Sequence, residues 1–354
     1  LSKVKITCCL LTGKMKKKNR TNIINNIENG MISVIIGTHA IIQDDVKFKN
    51  LGLVIIDEQH RFGVGQRNKL TGKGKSPHLL SMTATPIPRT LSITYMGDMD
   101  LSIIDELPKN RIPVTTKVIN PERLPKVYSF MREQIGKGQQ CMIVYPLVEE
   151  SEKSDIAAAI DMYKELKGKV FIKNRIGLIH GKMNSEEKKI IMEKFENNKI
   201  NILIATTVIE VGIDVPNATI MLIEHADRFG LTQLHQLRGR VGRGLEKSYC
   251  ILVNRGDSEK SSIRLRIMEE TNDGFRIADE DLILRGPGDY VGYQQSGFIK
   301  YKIADMVTDG EIIKKARVLA KGIIDKDPLL DKHPLIKNRV LTDYKQRLEL
   351  ITLN

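Results

Sequence analysis

The chain has 354 residues, 41% hydrophobic and 28% charged, a composition that excludes a disordered chain and allows two or more domains. Its formal net charge of +13 favours a polyanionic partner such as nucleic acid, although a biased genome would also enrich lysine. No apolar run approaches the length of a membrane span and no signal peptide is visible, so we expect a cytosolic protein. None of the four cysteines forms a C-x-x-C pair, so neither a zinc site nor a disulfide framework is indicated.

The first part of the chain alternates strand-like and helix-like patterns, which indicates a parallel sheet. Strands are predicted at 34–36, 53–56 and 79–82. The run at 53–56 is continuously apolar, so we expect a strand buried on both faces, and it leads directly into Asp57 and Glu58. Ligands bind beyond the carboxyl ends of such strands, where one acid suits hydrated Mg²⁺ and the other suits deprotonation of a water. The alternative is a strand that simply ends in solvated acids.

A connector with two prolines, residues 106–113, precedes a second α/β region that extends to about residue 255. Helix 185–197 is predicted to begin at a capping pair, Asn184 and Glu187, and to place three apolar residues on one face. Those residues are Ile190, Ile191 and Phe195. Strands are predicted at 141–145, 177–180, 202–205, 219–223 and 249–253. After residue 256 we expect a helix at 258–270, a glycine-rich stretch at 284–297 and a mostly helical tail.

The stretch from Gln236 to Gly244 is too rich in arginine for an ordinary helix face. On a helix Arg240 and Arg243 would share one face, since they are three residues apart. Guanidinium groups bind phosphate oxygens bidentately and stay charged, so the pair suits a developing phosphoryl charge. The alternative is a basic patch on a nucleic-acid backbone. Glycines at 239 and 242 favour a tightly packed turn over a solvated helix face.

Four of these stretches occur in the order of helicase superfamily 2 motifs II, III, V and VI. They are Asp57-Glu-Gln-His60, Thr83-Ala-Thr85, Thr206 to Asp214 and Gln236 to Arg243. The chain most closely resembles the RecG-type branched-DNA helicases, from about residue 10 to about residue 325. That resemblance also rests on residues 57–67, on Thr83 to Arg89 and on Leu284-Arg-Gly-Pro-Gly288.

The resemblance implies an α/β fold with tandem RecA-like parallel-sheet motor domains, the first incomplete, and a mostly helical C-terminal segment. Residues 1–107 would form the end of the first motor domain, with motifs Ib, II and III. Residues 108–255 would form the second, with motifs IV, V and VI. Residues 256–354 would form a RecG-type domain whose translocation motif lies at about 271–297.

The resemblance also implies roles for individual residues in ATP hydrolysis. Asp57 would hold Mg²⁺ through water, and Glu58 would activate the attacking water. Coupling of the nucleotide state to domain movement would involve Gln59, His60, Thr83, Ala84 and Thr85. The nucleotide would be faced from the second domain by Gly212, Asp214, Gln236, Arg240 and Arg243.

Backbone contacts to DNA are implied for Gly37, Thr38, His39, Thr206 and Thr207. Short hydroxyls and backbone N–H groups grip phosphates without reading bases, which suits a motor that moves over any sequence. In the translocation segment Arg285 and Gln295 match the family pattern and would couple domain closure to pulling on duplex DNA. The chain departs from the family at Tyr293-Gln294, where a small residue and a basic one are usual.

The implied function is an ATP-dependent DNA helicase and translocase that remodels stalled forks and Holliday junctions in DNA repair and recombination. Branched double-stranded DNA would be its partner, and ATP and Mg²⁺ would be its cofactors. It would work as a monomer in the bacterial cytoplasm, associated with the nucleoid. The transcription–repair coupling translocase is a related alternative, and an RNA helicase fits less well because it has no counterpart of the translocation segment. A non-catalytic DNA-binding remnant is the alternative from another class.

One expected motif is missing from the sequence: the phosphate-cradling loop G-x-x-x-x-G-K-[ST]. Gly74-Lys75-Ser76 resembles its end, but Lys69 stands where the first glycine belongs, and the piece follows Asp57 and Glu58. We interpret the chain as the C-terminal half of the helicase, separate from an N-terminal half with the phosphate loop and the wedge domain. By itself the chain is therefore expected to bind nucleotide weakly or not at all.

Overall fold

The computed structural model describes residues 6–13, 15–59, 62–85, 99–106, 108, 111–146, 152–206, 215–285, 304 and 309–352. By internal contacts the chain divides into two compact units, one of residues 1–84 with 291–354 and one of residues 85–290. None of the described helices combines the length and the apolar character needed to cross a membrane.

The strands and helices alternate along most of the chain. The strands are β1 (Cys8–Leu11), β2 (Val34–Gly37), β3 (Leu53–Ile56), β4 (His78–Ser81), β5 (Thr115–Ile119), β6 (Gln140–Tyr145), β7 (Ile176–Ile179), β8 (Ile202–Thr206), β9 (Ala218–Ile223) and β10 (Tyr249–Val253). The helices are α1 (Lys17–Glu28), α2 (Val64–Thr71), α3 (Leu124–Gly136), α4 (Glu152–Glu165), α5 (Ser185–Glu196), α6 (Leu231–Arg238), α7 (Glu259–Glu270), α8 (Gly274–Arg285), α9 (Gly310–Lys326) and α10 (Pro334–Thr352).

In the first unit two parallel strand pairs carry the predicted site residues. β1 pairs with β2, and β3 pairs with β4. The prediction that β3 is buried on both faces is wrong, because its side chains alternate. Val54 and Ile56 are buried with Leu70 of α2, whereas Leu53 and Ile55 are 54% and 56% exposed. Helix α2 packs on one face, and the other face is open to solvent in the described part of the chain.

The second unit contains a six-stranded sheet in the order β5-β10-β9-β6-β8-β7. All its strand pairs are parallel, as predicted. Every residue of β6, β8 and β9 is buried. Two apolar clusters lie on opposite faces: Met142 and Val144 belong to one, and Cys141 and Ile143 to the other. Helices α6, α7 and α8 cover the first face, and α3 and α4 contribute to the second, so the α/β fold class is confirmed.

Helix α5 confirms the predicted start and corrects the predicted face. The Asn184 side chain accepts a hydrogen bond from the Glu187 N–H at 2.8 Å, and the Glu187 carboxylate accepts one from the Asn184 N–H at 3.2 Å. Phe195 is fully buried and Ile191 packs against the same cluster, but Ile190 is exposed. Placing Ile190 with them was wrong, because consecutive helical residues are turned by about 100°.

Candidate functional site

The turn after β3 places two acids at the carboxyl end of the strand. Glu58 has a positive φ of 51°, in the left-handed region that side chains rarely adopt. Its N–H donates to Asp57 Oδ1 at 2.8 Å, which holds the turn in this form. The strained backbone turns the chain sharply, so Asp57 and Glu58 project from the strand end without continuing the sheet.

The same turn is tied to the loop that follows β4. Gln59 is buried, and its N–H donates to the Met82 carbonyl at 3.0 Å, while the Met82 N–H donates to the Ile56 carbonyl at 2.8 Å. Thr83, Ala84 and Thr85 come directly after this contact. Two of the predicted motifs are therefore adjacent and are joined by backbone hydrogen bonds.

The acids of this turn fit a Mg²⁺ held through water and substrate phosphates. No group of three or more His, Cys, Asp or Glu side chains that could enclose a metal ion occurs among the described residues. Asp57 is exposed, and its second carboxylate oxygen has no hydrogen-bond partner in the described part of the chain. Mg²⁺ keeps several waters and uses one or two carboxylates together with phosphate oxygens, which is the donor set available here.

Gly37 ends β2, Thr38 and His39 follow it, and all three are exposed. At Gly37 a Cβ atom would clash with the Leu11 carbonyl oxygen, so the close approach of the two strands requires glycine. The His39 ring lies 4.7 Å from that of Phe62, which follows the acidic turn. The predicted DNA-contacting residues at the end of β2 thus lie next to the acidic turn in the first unit.

The arginine-rich stretch of the second unit is a helix end followed by a turn. Helix α6 ends at Arg238, so Arg240 and Arg243 lie in the turn that follows and not on a helical face. Gly242 has a φ of +76°, and a Cβ there would lie 2.7 Å from Val114, so only glycine suits this turn. Arg111 Nε donates to the Gly242 carbonyl at 3.3 Å. The glycines build a packed turn, as the sequence indicated, with Arg240 half-buried and Arg243 exposed.

Arg238 is a functional candidate that the sequence reasoning missed. Its guanidinium group is buried and donates to the carbonyls of Met268 and Thr271, both at 2.9 Å. It also donates to Thr116 Oγ1 at 3.3 Å. Arg238 therefore joins the arginine turn to the end of α7, where the predicted translocation segment begins. The apolar spacing of Leu231, Leu234 and Leu237 was the available signal, since it places Arg238 near the buried face of the helix.

His235 supports this clasp in its neutral form. Burial, and after it the nearby Arg238 charge, lower the pKa of His235 to about 4. The ring is therefore uncharged at neutral pH, and its Nδ1 lies 3.0 Å from Nη2 of Arg238. Because the guanidinium group can only donate, Nδ1 accepts and the ring proton sits on Nε2.

The carboxyl edge of the six-stranded sheet carries buried polar atoms at the ends of neighbouring strands. They are Thr206 Oγ1 at the end of β8, Tyr145 Oη at the end of β6, Glu224 Oε1 just after β9 and His180 Nδ1 just after β7. None of these atoms has a hydrogen-bond partner within the described residues. Of the predicted DNA-binding residues, Thr206 belongs to this row.

Several predicted residues lie outside the described part of the chain. These are His60, Thr207, Gly212, Asp214, Gln295 and the Tyr293-Gln294 departure. Arg285 is the last residue of α8, and Gln236 lies half-buried in α6. The roles of all the predicted site residues remain predictions.

Three protein-family models match consecutive parts of the chain. Residues 1–93 match the DEAD/DEAH box helicase family, and residues 122–244 match the helicase conserved C-terminal domain. Residues 271–349 match the model described as ATP-dependent DNA helicase RecG, domain 3, C-terminal.

Curated relatives and solved structures agree with these matches. ATP-dependent DNA helicase RecG of Synechocystis is 49% identical over 97% of this chain, and that of Bacillus subtilis is 50% identical over 91%. The chain spans only 42% and 47% of their lengths. A structure of RecG bound to a three-way DNA junction matches 88% of this chain and 40% of that one, with 45% identity and a TM-score of 0.66. The Mycobacterium smegmatis helicase Lhr shares the fold. Its structure matches 76% of this chain and 37% of its own, with 15% identity and a TM-score of 0.55.

Proposed function

Since the chain belongs to the RecG family of DNA helicases, we propose that it forms motor parts of an ATP-dependent DNA helicase and translocase. The substrate is branched double-stranded DNA, namely stalled forks and Holliday junctions that are remodelled during DNA repair and recombination. The observation that carries the proposal is the 45% identity to a RecG whose structure holds a three-way DNA junction. A monomer is proposed as the working form.

In this proposal the turn after β3 performs the hydrolytic chemistry. Mg²⁺, when bound, offsets negative charge on the ATP phosphates. Asp57 would hold that ion through water. Glu58 accepts a proton from the attacking water. The hydrogen bond from the Glu58 N–H to Asp57 Oδ1 keeps the two acids in a fixed relative position.

The second unit supplies positive charge and, together with the loop after β4, couples hydrolysis to movement. Arg240 and Arg243 stabilise charge that develops on the transferred phosphoryl group, while Gly212, Asp214 and Gln236 face the nucleotide. The backbone hydrogen bonds between Gln59 and Met82 support coupling through Thr83, Ala84 and Thr85. Arg238 supports coupling toward the segment that contains Arg285 and Gln295.

DNA is held by its backbone in this proposal. Gly37, Thr38 and His39 are exposed at the end of β2, and Thr206 presents a buried hydroxyl that lacks a partner in the described structure. Together with Thr207 they grip phosphates without reading bases. The net charge of +13 favours such contacts, so DNA affinity should fall steeply as salt rises.

A second candidate applies to the 354-residue chain by itself: a DNA-binding module without turnover. The sequence contains no G-x-x-x-x-G-K-[ST] loop, which favours this candidate. We expect weak binding of MgATP, and a micromolar Kd measured by calorimetry would contradict that expectation.

The deciding experiment measures ATP turnover of the purified chain with and without a three-way DNA junction, together with junction binding. Turnover that the junction stimulates and that Glu58→Gln abolishes supports the enzyme. Salt-dependent junction binding without turnover supports the module. A chain that neither binds the junction nor hydrolyses ATP would overturn both candidates.

A further inference from the structure

An ion pair occupies the carboxyl edge of the six-stranded sheet, apart from the predicted helicase motifs. Glu224 follows β9 and is 1% exposed, and its Oε2 accepts a hydrogen bond from Nε of Arg255 at 3.0 Å. Arg255 follows β10, and its side chain is 33% exposed. Its two Nη groups have no hydrogen-bond partner among the described residues. The pair therefore presents an oriented guanidinium fork at the surface with unused donors.

Two buried polar atoms without a hydrogen-bond partner in the described structure lie at this ion pair, one in Glu224 itself and one in the neighbouring Tyr145. Val144 of β6 is in register with Ile223 of β9, so Tyr145 and Glu224 end adjacent strands. Tyr145 Oη and Glu224 Oε1 are both buried without a partner in the described structure. Burial raises the pKa of Tyr145, and the Glu224 charge raises it further, so the hydroxyl keeps its proton and remains a donor. Buried polar atoms are nearly always paired, so this arrangement indicates a missing ligand or bridging water.

The backbone around Arg255 is held without the ion pair. The Arg255 N–H donates to Asp227 Oδ1 at 3.0 Å, and the Gly256 N–H donates to Asn254 Oδ1 at 3.1 Å. The Glu224 carboxylate is therefore not needed to anchor this loop. What it fixes is the direction of the Arg255 side chain.

We propose that Arg255, oriented by Glu224, binds a phosphodiester of the DNA backbone on the same sheet edge as Thr206. This inference rests on the proposed function and adds a contact outside the predicted motifs. Tyr145 of β6 is in register with Thr206 of β8, so three strand spacings, about 14 Å, separate Thr206 from the end of β10. A duplex strand rises about 3.4 Å per nucleotide, so roughly four nucleotides span the row. The exposed Arg255 Nη groups supply donors for phosphate oxygens, and the buried Tyr145 hydroxyl can contribute only through a bridging water.

The test measures binding of a fluorescein-labelled three-way DNA junction to the full 354-residue chain over a series of KCl concentrations. Arg255→Gln should weaken binding about tenfold and reduce the slope of log affinity against log salt by about one. Arg255→Lys should keep the salt slope, because the positive charge remains, but should lose part of the DNA affinity, because the bidentate guanidinium group is gone. Arg175→Gln is the matched control, since Arg175 is an exposed arginine that precedes β7, at the amino edge of the sheet.

Glu224→Gln separates orientation from net charge. Removing a negative charge should strengthen DNA binding if only charge matters, whereas loss of orientation should weaken it. The double variant Arg255→Gln, Glu224→Gln leaves no unpaired buried charge, so it should unfold at the wild-type temperature. Weak DNA binding by this folded double variant supports the contact between Arg255 and the DNA phosphate. This inference alone is overturned if Arg255→Gln and Arg175→Gln change DNA affinity and salt slope equally, or if Glu224→Gln binds DNA more tightly than the wild-type chain. A wild-type chain that does not bind the junction overturns the proposed function as well.

Discussion

The two units use similar apolar strands in different surroundings. β3 in the first unit and β6 in the second each contain four consecutive apolar residues. Every residue of β6 is buried, because helices pack on both faces of its sheet, whereas alternate residues of β3 are exposed. Leu10, Ile36 and Leu80 are exposed on the other strands of the first unit. An apolar run therefore predicts a strand, but the elements that cover the strand decide how much that run stabilises the fold.

The largest expected difference between the units comes from truncating leucines in their strands. Leu203→Ala in β8 should cost about 3 kcal/mol of unfolding free energy, because the side chain is fully buried and leaves a cavity. Leu53→Ala in β3 should cost less than about 1 kcal/mol, since half of that side chain is already in water. Urea unfolding with strand-resolved hydrogen exchange measures both. Equal costs would show that the open face of β3 is covered in solution.

Removing the buried arginine clasp should be the next largest effect, confined to the second unit. Arg238→Ala leaves the Met268 and Thr271 carbonyls without their buried donor, so we expect a loss of about 2–3 kcal/mol. Arg132→Ala on α3 is the control, because that arginine is exposed. Thermal unfolding compares the two variants. A loss no greater than that of the control would mean that water replaces the clasp.

Acid should destabilise the second unit through His235. The folded pKa of about 4 lies below the ordinary value of 6.5, so the unfolded chain takes up the proton first. Stability contributed by the neutral ring is complete above pH 6.5 and is lost as the pH falls toward 4, by about 2–3 kcal/mol. Urea unfolding at a series of pH values should show this decline, and His235→Asn should reduce it. An unchanged pH profile in the variant would assign the decline to other groups.

The smallest contrast concerns helix starts. Asn184 caps α5 with its side chain, whereas Lys16 precedes α1 without a side-chain cap. Asn184→Ala should cost about 1 kcal/mol, and Lys16→Asn should stabilise α1 by about 0.5–1 kcal/mol. Hydrogen exchange in the first turn of each helix is the measurement. Faster exchange in α1 after Lys16→Asn would argue against a capping role.

Much of the local structure followed from the sequence. The predicted strands at 53–56, 202–205 and 249–253 are found at β3, β8 and β10, because short apolar β-branched runs have few alternatives. The capping pair at α5 was also correct. β1 and β5 were missed: β1 is an apolar run of only four residues, and Thr115-Thr116-Lys117 of β5 is polar. Their strand form depends on pairing with β2 and β10, which are distant in sequence.

The sequence alone identified the family and the motif order, because long motifs such as residues 57–67 depend on residue identity at fixed spacing. Only the tertiary structure decided that Arg240 follows the end of a helix, that Arg238 is a buried clasp and that Arg255 pairs with Glu224. Residues 224 and 255 are brought together by the pairing of β9 with β10, a contact that no local pattern encodes. Spacing along the chain records local chemistry, whereas burial and ion pairing depend on which distant strands become neighbours.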